Sequence, residues 1–272
     1  MAVLRNIFKF LHLEMTEPTV FGWYHILSLL IVIGLTVFLC IKFKNCSEKV
    51  FKRIVLISWL AMVILEIYKQ IVFSSNIDGN TITWDYQWYA FPFQFCSMSI
   101  YVLPFLVFVK NKAVNRAVMS FMATFSLFAG MAVMLYPSTV YIDTIGVNIQ
   151  TMVHHGLQVI LGIFFIVYNR KNMTWKDFFG GCLVYLIVLG VALLLNFIVP
   201  LMVTETFNMF YISPYFPSDV PVVQQLHSLL AENMYPVFLI LYYLGFNLIA
   251  LIYFLATKGI LAICRREKKR VV

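Results

Sequence analysis

Seven apolar stretches, each about long enough to cross the hydrocarbon core of a membrane as a helix, dominate this sequence. They are residues 22–41, 54–73, 93–109, 117–136, 150–168, 178–199 and 234–255. A membrane-spanning β-strand would alternate polar and apolar side chains, whereas these stretches are apolar on all sides. Because 62% of the 272 residues are apolar and only 12% are charged, the chain cannot cover a water-facing globule. The sequence predicts an all-α, polytopic membrane protein with seven transmembrane helices.

The positions of the basic residues predict the direction of these spans. Of the 20 Lys and Arg residues, all except Arg5, Lys9 and Lys69 follow the first, third, fifth and seventh spans. Basic loops stay on the cytoplasmic side, so the N-terminus is expected outside and the C-terminus in the cytoplasm. The net charge of +8 therefore indicates topology and not a nucleic-acid partner. We expect a multi-pass protein of the plasma membrane whose partners are membrane lipids, with its oligomeric state left open.

Three segments are distinguished along the chain. The sequence predicts an interfacial amphipathic helix in residues 1–18 and the transmembrane bundle in residues 19–257. It predicts a basic cytoplasmic tail in residues 258–272. The helical stripe of the first segment comprises Leu4, Ile7, Phe8, Leu11 and Met15. Thr174 and Asp177 have the spacing of a capping box before the sixth span. Residues 204–233, the longest connection, predict an amphipathic connector or a lid.

Polar side chains lie at one depth in six of the seven predicted spans. Taking each span in its predicted direction, they fall in the outer half of the membrane, whereas the inner halves have few polar residues. Polar residues inside spans are costly and normally face the bundle interior. The pattern predicts a shared chamber near the outer surface, with substrate-binding roles for His25, Glu66, Lys69, Gln70, Gln94, Gln158 and Asn233. Glu66 and Lys69 are three residues apart, so they can form an ion pair on one helix face.

The same layer contains Cys96, His154 and His155. A cysteine with a histidine can carry out covalent acyl transfer, in which the thiolate attacks an ester and the imidazole moves the proton. His155 shares a helical stripe with Thr151 and Gln158, and His154 flanks it, so either histidine is a candidate base. Adjacent histidines are a poor chelate on a helix, and no acidic or cysteine cluster has regular ligand spacing. We therefore expect neither a metal nor another cofactor.

Two short motifs carry a family resemblance. The run Phe-Pro-Phe-Gln-Phe-Cys-Ser at residues 91–97, together with His155-Gly156, resembles the YwaF-like bacterial integral membrane proteins. Gln94 stands where many members of that family have His. Distant animal relatives are similar to polytopic acyltransferases that move fatty acyl chains onto lyso-ether phospholipids. The resemblance implies that Cys96 is the acyl-accepting nucleophile and that His155, or else His154, is its base.

The leading hypothesis is thus a membrane-embedded lipid acyltransferase or acyl hydrolase that uses a Cys–His pair near the outer leaflet. A transporter or channel is the alternative, with the Glu66, Lys69 and histidine layer forming part of a solute or proton path. A seven-helix sensor without catalysis is a third possibility, since it needs an outer pocket but no contact between Cys96 and a histidine.

Overall fold

The computed structural model describes residues 2–79, 81–171, 173–204, 206–218 and 220–270. Most of these residues are helical. The main elements are α1 (Ala2–Leu11), α2 (Trp23–Lys42), α3 (Glu48–Ser74), β1 (Ser75–Asp78), β2 (Thr81–Trp84), α4 (Met98–Phe108), α5 (Lys112–Phe121), a π-helical segment (Met122–Ser126), α6 (Leu127–Leu135), α7 (Ile145–Tyr168), α8 (Trp175–Met202) and α9 (Pro221–Arg270).

In the described ranges, five helical stretches are long and apolar enough to cross a membrane. They are Trp23–Lys42, Lys112–Leu135, Ile145–Tyr168, Trp175–Met202 and Val222–Ile263. The prediction of an all-α polytopic membrane protein is therefore confirmed. The two other predicted spans correspond to α3 and to the shorter apolar helix Phe95–Phe108. The number of seven spans and the outward N-terminus stay predictions.

The terminal segments follow the prediction in part. The amphipathic helix α1 ends at Leu11, whose carbonyl accepts a hydrogen bond from the Tyr68 hydroxyl at 2.6 Å. Met15, predicted on its apolar stripe, instead donates its backbone N–H to the Asp143 carbonyl. At the other end, α9 continues through most of the predicted basic tail, and residues 271–272 lie outside the described residues.

The central helix of the bundle is α7, which packs against α2, α3, α6 and the π-helical segment. Helix α2 is peripheral, because His25, Val32 and Thr36 are its only buried residues. The remaining side chains of α2 are mostly large and apolar, as expected for a surface in contact with lipid. The residues that face the protein interior are therefore concentrated on α7 and its neighbours.

Two local features of the helices have clear physical roles. Pro104 lies inside α4, where it cannot donate to the carbonyl of Ile100, and the Trp59 indole N–H donates to that carbonyl at 2.8 Å. The capping box at the start of α8 is confirmed, with Thr174 and Asp177 each satisfying the other's backbone N–H. Asp177 also accepts two hydrogen bonds from Arg116, which ties α8 to α5.

A short antiparallel hairpin, β1–β2, was missing from the all-α prediction. It pairs Ser75 with Trp84 and Asp78 with Thr81, and its turn includes Gly79 at a φ of +55°. Glycine adopts this left-handed conformation without steric cost, so the turn can be tight. The hairpin continues directly from α3, and the Asp85 backbone N–H closes it by donating to the Ser74 carbonyl at 2.8 Å.

Residues 207–213 form an irregular loop that enters the bundle, and we refer to it as the inserted loop. Phe207, Met209, Phe210, Ile212 and Ser213 are all fully buried. The connection 204–233 is therefore neither a plain surface connector nor a flexible cover over its whole length. Its later residues, from Pro221 onward, form the first part of α9, which bends at Met234.

Side-chain amides from α8 and from the segment before α4 supply hydrogen bonds that this loop needs. Asn196 of α8 donates to the Met209 carbonyl at 2.8 Å and accepts from the Met209 N–H at 2.7 Å. Gln94 donates to the Asn208 carbonyl and accepts from the Phe210 N–H, both at 2.8 Å. Irregular backbone is tolerated at membrane depth only where protein groups satisfy it, and these two amides do so.

Further side chains complete the hydrogen bonding of the inserted loop. The Tyr242 hydroxyl donates to the Phe210 carbonyl at 2.7 Å, and the Tyr235 hydroxyl donates to the Ile212 carbonyl at 2.5 Å. His227 lies 3.0 Å from the Ser213 carbonyl through its Nε2 atom. The inserted loop is therefore fixed to α9 as well as to α8 and to the segment before α4.

We predict that Asn196→Ala lowers the free energy of unfolding by about 2–5 kcal/mol, because one buried donor and one buried acceptor of Met209 lose their partner. Thermal unfolding in detergent measures this effect. The control is Asn247→Ala, since the Asn247 amide donates to the Tyr243 carbonyl of its own helix. Equal losses for the two variants would contradict the role given to Asn196.

Candidate functional site

One stripe of α7 carries three polar side chains into the bundle. Gln150, His154 and Gln158 are spaced four residues apart, so they lie above one another on one helix face. All three are buried, with exposed fractions of 4%, 2% and 0%. The stripe faces α3 at Gln150 and the start of α4 at His154 and Gln158.

Cys96 is held against this stripe by its backbone. It lies in the 3₁₀ turn Phe95–Ser97 that leads into α4. Its carbonyl accepts a hydrogen bond from His154 Nε2 at 3.1 Å and another from Gln158 Nε2. The third and fifth predicted spans therefore meet at Cys96. The thiol itself is half-buried, and within the described part of the chain no hydrogen bond joins it to either imidazole.

Gln158 connects the Cys96 turn to the π-helical segment. Its Nε2 atom donates to Ser99 Oγ at 3.0 Å, and Ser99 Oγ shares a hydrogen bond of 2.8 Å with Ser126 Oγ. Ser126 is the last residue of the π-helical segment, all of which is buried. Segments of this kind inside α-helices are frequent at functional sites, and this one contributes a polar contact directly beside Gln158.

His155 is positioned differently from His154. Its Nδ1 atom lies 2.8 Å from the Thr151 carbonyl of its own helix, and its ring centroid is 5.3 Å from that of His154. The family resemblance implies His155, or else His154, as the base. The contact with Cys96 is instead made by His154, because one residue on a helix rotates the side chain by about 100°.

The hydrogen bonds of the two imidazoles fix which nitrogen carries the proton. A carbonyl oxygen only accepts, so the neutral ring of His154 is protonated on Nε2 and that of His155 on Nδ1. Among the described residues, the other nitrogens, His154 Nδ1 and His155 Nε2, have no hydrogen-bond partner, and both are buried. Gln158 Oε1 is likewise buried without a partner there. Within the described part of the chain, this part of α7 thus presents three buried acceptors that lack a donor.

A second polar cluster surrounds Glu66 on α3. Glu66 Oε1 accepts from Lys69 Nζ and from Gln70 Nε2, both at 2.8 Å, and Oε2 accepts from Gln150 Nε2 at 3.2 Å. The ion pair predicted from the three-residue spacing of Glu66 and Lys69 is present. Gln70 also donates to the Ala90 carbonyl at 2.7 Å, which anchors the segment that follows the hairpin.

The two clusters are neighbours. Gln150 belongs to the α7 stripe and donates to Glu66, and both Glu66 and Lys69 interact electrostatically with Cys96 and His154. An ion pair beside a cysteine and a histidine sets the local field that any charged intermediate would experience. The bundle thus brings together Glu66, Lys69, Gln70, Cys96, His154, His155 and Gln158.

Three predicted substrate-binding residues do not join these clusters. His25 is buried, accepts from the Phe21 N–H at 2.9 Å and lies 2.8 Å from the Met134 carbonyl, so both ring nitrogens hold the ends of helices together. Gln94 binds the inserted loop with both amide atoms. Asn233 has an exposed side chain beside the bend of α9 at Met234.

Two residues of the site were not proposed from the sequence. Gln150 lies one turn before His154, so the four-residue spacing from Gln158 was the available signal. Ser126 carried no such signal, because its contact with Ser99 depends on the π-helical segment.

Comparison with known proteins gives one match. The family model described as the TMEM164 family matches residues 20–258, which is most of the chain. No curated protein and no solved structure matches it.

We predict that Gly130→Ala disturbs the site from the α6 side. A Cβ atom at Gly130 would lie 2.7 Å from the His155 carbonyl oxygen and 2.8 Å from Gln158 Cβ, so α6 must move away from α7. The expected loss is about 1–3 kcal/mol in unfolding free energy, measured by thermal unfolding in detergent. Gly190→Ala is the matched control, because nothing lies within 4 Å of its Cβ position. A neutral result at Gly130 would contradict this packing.

Proposed function

This chain belongs to the TMEM164 family, and on that premise we propose that it is a membrane-embedded lipid acyltransferase or acyl hydrolase in which Cys96 carries the acyl group. His154 is the proposed base, and His155 supports it. Family membership establishes a membrane protein; the chemistry is argued from the groups around Cys96.

The proposal is carried by one observation, the contact of His154 Nε2 with the Cys96 carbonyl at 3.1 Å. It places an imidazole and a thiol-bearing residue from distant parts of the sequence side by side in the bundle interior. His154 Nδ1 is the basic nitrogen of that ring, because Nε2 bears the proton and the lone pair of Nδ1 is free. A rotation of the half-buried thiol or of the ring is needed to bring sulfur and nitrogen into hydrogen-bond contact.

The acyl-transfer step balances with these groups alone. The imidazole takes the thiol proton, and the thiolate attacks the ester carbonyl of a phospholipid. The carbon–oxygen bond breaks, the leaving alkoxide takes the proton from the imidazolium, and a thioester forms on Cys96. In the second half, the histidine removes the proton of an acceptor hydroxyl, whose oxygen attacks the thioester carbonyl. The carbon–sulfur bond breaks as the new ester forms, and the thiolate takes the proton back from the imidazolium.

Charge that develops during this step has favourable surroundings. Cys96 lies just before α4, and the N-terminal end of a helix stabilises negative charge near it. Lys69 contributes a positive charge nearby, held in place by Glu66. The backbone N–H groups at the start of α4 are the proposed donors to the oxyanion of the tetrahedral intermediate.

The unpartnered acceptors favour a hydroxyl compound as the second substrate. His154 Nδ1, His155 Nε2 and Gln158 Oε1 all need donors, and an alcohol or a water molecule supplies one. A lyso-phospholipid makes the protein a transferase, whereas water makes it a hydrolase. The surrounding lipid-facing helices favour substrates that arrive from the membrane.

We predict that Cys96→Ala abolishes acyl transfer and that His154→Gln lowers its rate by about 100-fold or more, because proton transfer contributes roughly that factor. The purified protein is incubated in nanodiscs with a phospholipid whose acyl chain is labelled, and lipid products and protein-bound label are followed. Protein-bound label on Cys96 should be released by neutral hydroxylamine, as a thioester is.

Cys182→Ala is the matched control, since this buried cysteine lies on α8 without a polar side-chain partner to its sulfur in the described structure. His155→Gln separates the two histidines. Undiminished acyl transfer and protein labelling in Cys96→Ala would refute the mechanism. The alternative is a transporter. It replaces the acyl-transfer mechanism if Glu66→Gln is the only one of these variants that changes a measured function, and if that function is proton flux in proteoliposomes.

A further inference from the structure

A second feature lies away from the Cys96 cluster, at the ends of α3, α5 and α7 that are predicted to face the cytoplasm. It is a cleft of about 550 Å³ with a cationic rim of Lys52, Lys110, Lys112 and Arg116, which we call the basic cleft. This volume is in the range of small-molecule sites. The positive-inside rule accounts for cations on this face but not for a cavity between them.

The rim keeps an excess of positive charge after its internal ion pairs are counted. Glu48, the acidic residue of the lining, pairs with Lys52 at 2.8 Å. Arg116 binds Asp177 through two nitrogens, at 2.5 and 2.7 Å. Lys110 and Lys112 are exposed and take part in no ion pair in the described part of the chain. Two lysines are therefore available for an anion.

The interior of the cleft is apolar. Phe51 and Tyr168 stack with ring centroids 4.3 Å apart, and Leu106 and Met119 extend this lining. Asn115 also lines the cleft; its Nδ2 donates to the Val109 carbonyl, while its buried Oδ1 has no partner among the residues that the structure describes. An unpartnered buried acceptor calls for a donor, such as a hydroxyl group of a ligand.

The neighbourhood of the cleft faces lipid. Helix α4, which contributes Leu106, exposes Phe105 and Phe108, with exposed fractions of 47% and 66%. A ligand with an anionic head and an apolar tail can therefore enter from the membrane, with its head at the lysines and its tail along the aromatic lining.

We propose that the basic cleft binds an anionic phospholipid, with the phosphate at Lys110 and Lys112, a headgroup hydroxyl at Asn115 Oδ1 and part of one acyl chain over Phe51 and Tyr168. Charge complementarity selects this ligand over a zwitterionic lipid, and the apolar lining selects a lipid over a free anion. The proposal does not depend on the function proposed for Cys96.

The test measures lipid binding by the purified full chain in detergent, using native mass spectrometry. The probe is phosphatidylglycerol, and its neutral counterpart is phosphatidylcholine. Wild-type protein should bind phosphatidylglycerol in preference to phosphatidylcholine. Lys110→Gln with Lys112→Gln should weaken that binding by about tenfold or more, as expected for two cations near a phosphate.

The matched control is Lys44→Gln with Lys171→Gln, which removes the same charge from the same predicted face outside the cleft. An equal loss in this control would show general surface attraction and overturn the proposal. Displacement of the lipid by millimolar inorganic phosphate alone, or tighter binding of a fatty acyl-coenzyme A, would also overturn it. Acyl transfer is measured in parallel. This separates a failure of the lipid-binding proposal from a failure of the mechanism proposed for Cys96.

Discussion

Every peptide group that enters the membrane interior needs a hydrogen-bond partner within the protein, and the inserted loop shows how far this requirement shapes the molecule. Helices satisfy the need within themselves, but residues 207–213 do not. An amide side chain has both a donor and an acceptor, so Asn196 and Gln94 can each serve a carbonyl and an N–H of the loop. This explains why the amide side chains of Asn196 and Gln94 lie at the ends of otherwise apolar segments of the chain.

The same requirement links the loop to the Cys96 turn. Gln94 is two residues before Cys96, and Phe95 between them packs against Phe210 of the inserted loop with ring centroids 5.7 Å apart. From the opposite side, the Cys96 carbonyl is held by His154 and Gln158. The turn is therefore fixed from both flanks, which leaves the thiol as its movable group.

Local features of the fold could be predicted from the sequence, because they depend on neighbours a few residues away. The all-α membrane class, the capping box at Thr174 and the ion pair of Glu66 with Lys69 are of this kind. The hairpin also has a local signal, Gly79 at the turn between Asp78 and Thr81, which the apolar pattern of the adjoining spans concealed.

For the site, the sequence predicted only which types of residue lie at the same depth in the membrane. Depth does not determine the direction in which a side chain points, so His25 could not be separated from the histidines of α7, nor His154 from His155. The role of Gln94 depends on a loop more than a hundred residues away that enters the bundle, and no sequence periodicity indicates such an insertion. Asn233 has an exposed side chain beside the bend at Met234, and no sequence periodicity indicates that bend.

The π-helical segment has a consequence for the register of the bundle. A regular α-helix advances about 100° per residue, and a π-helical turn accommodates one additional residue without unwinding its flanks. Deleting one residue from Met122–Ser126 would therefore restore a regular α-helix and leave the orientation of α6 relative to α5 nearly unchanged. Gly130 would still face α7. This one turn is thus the place where the length of the chain can change without altering how closely two helices approach each other several residues downstream.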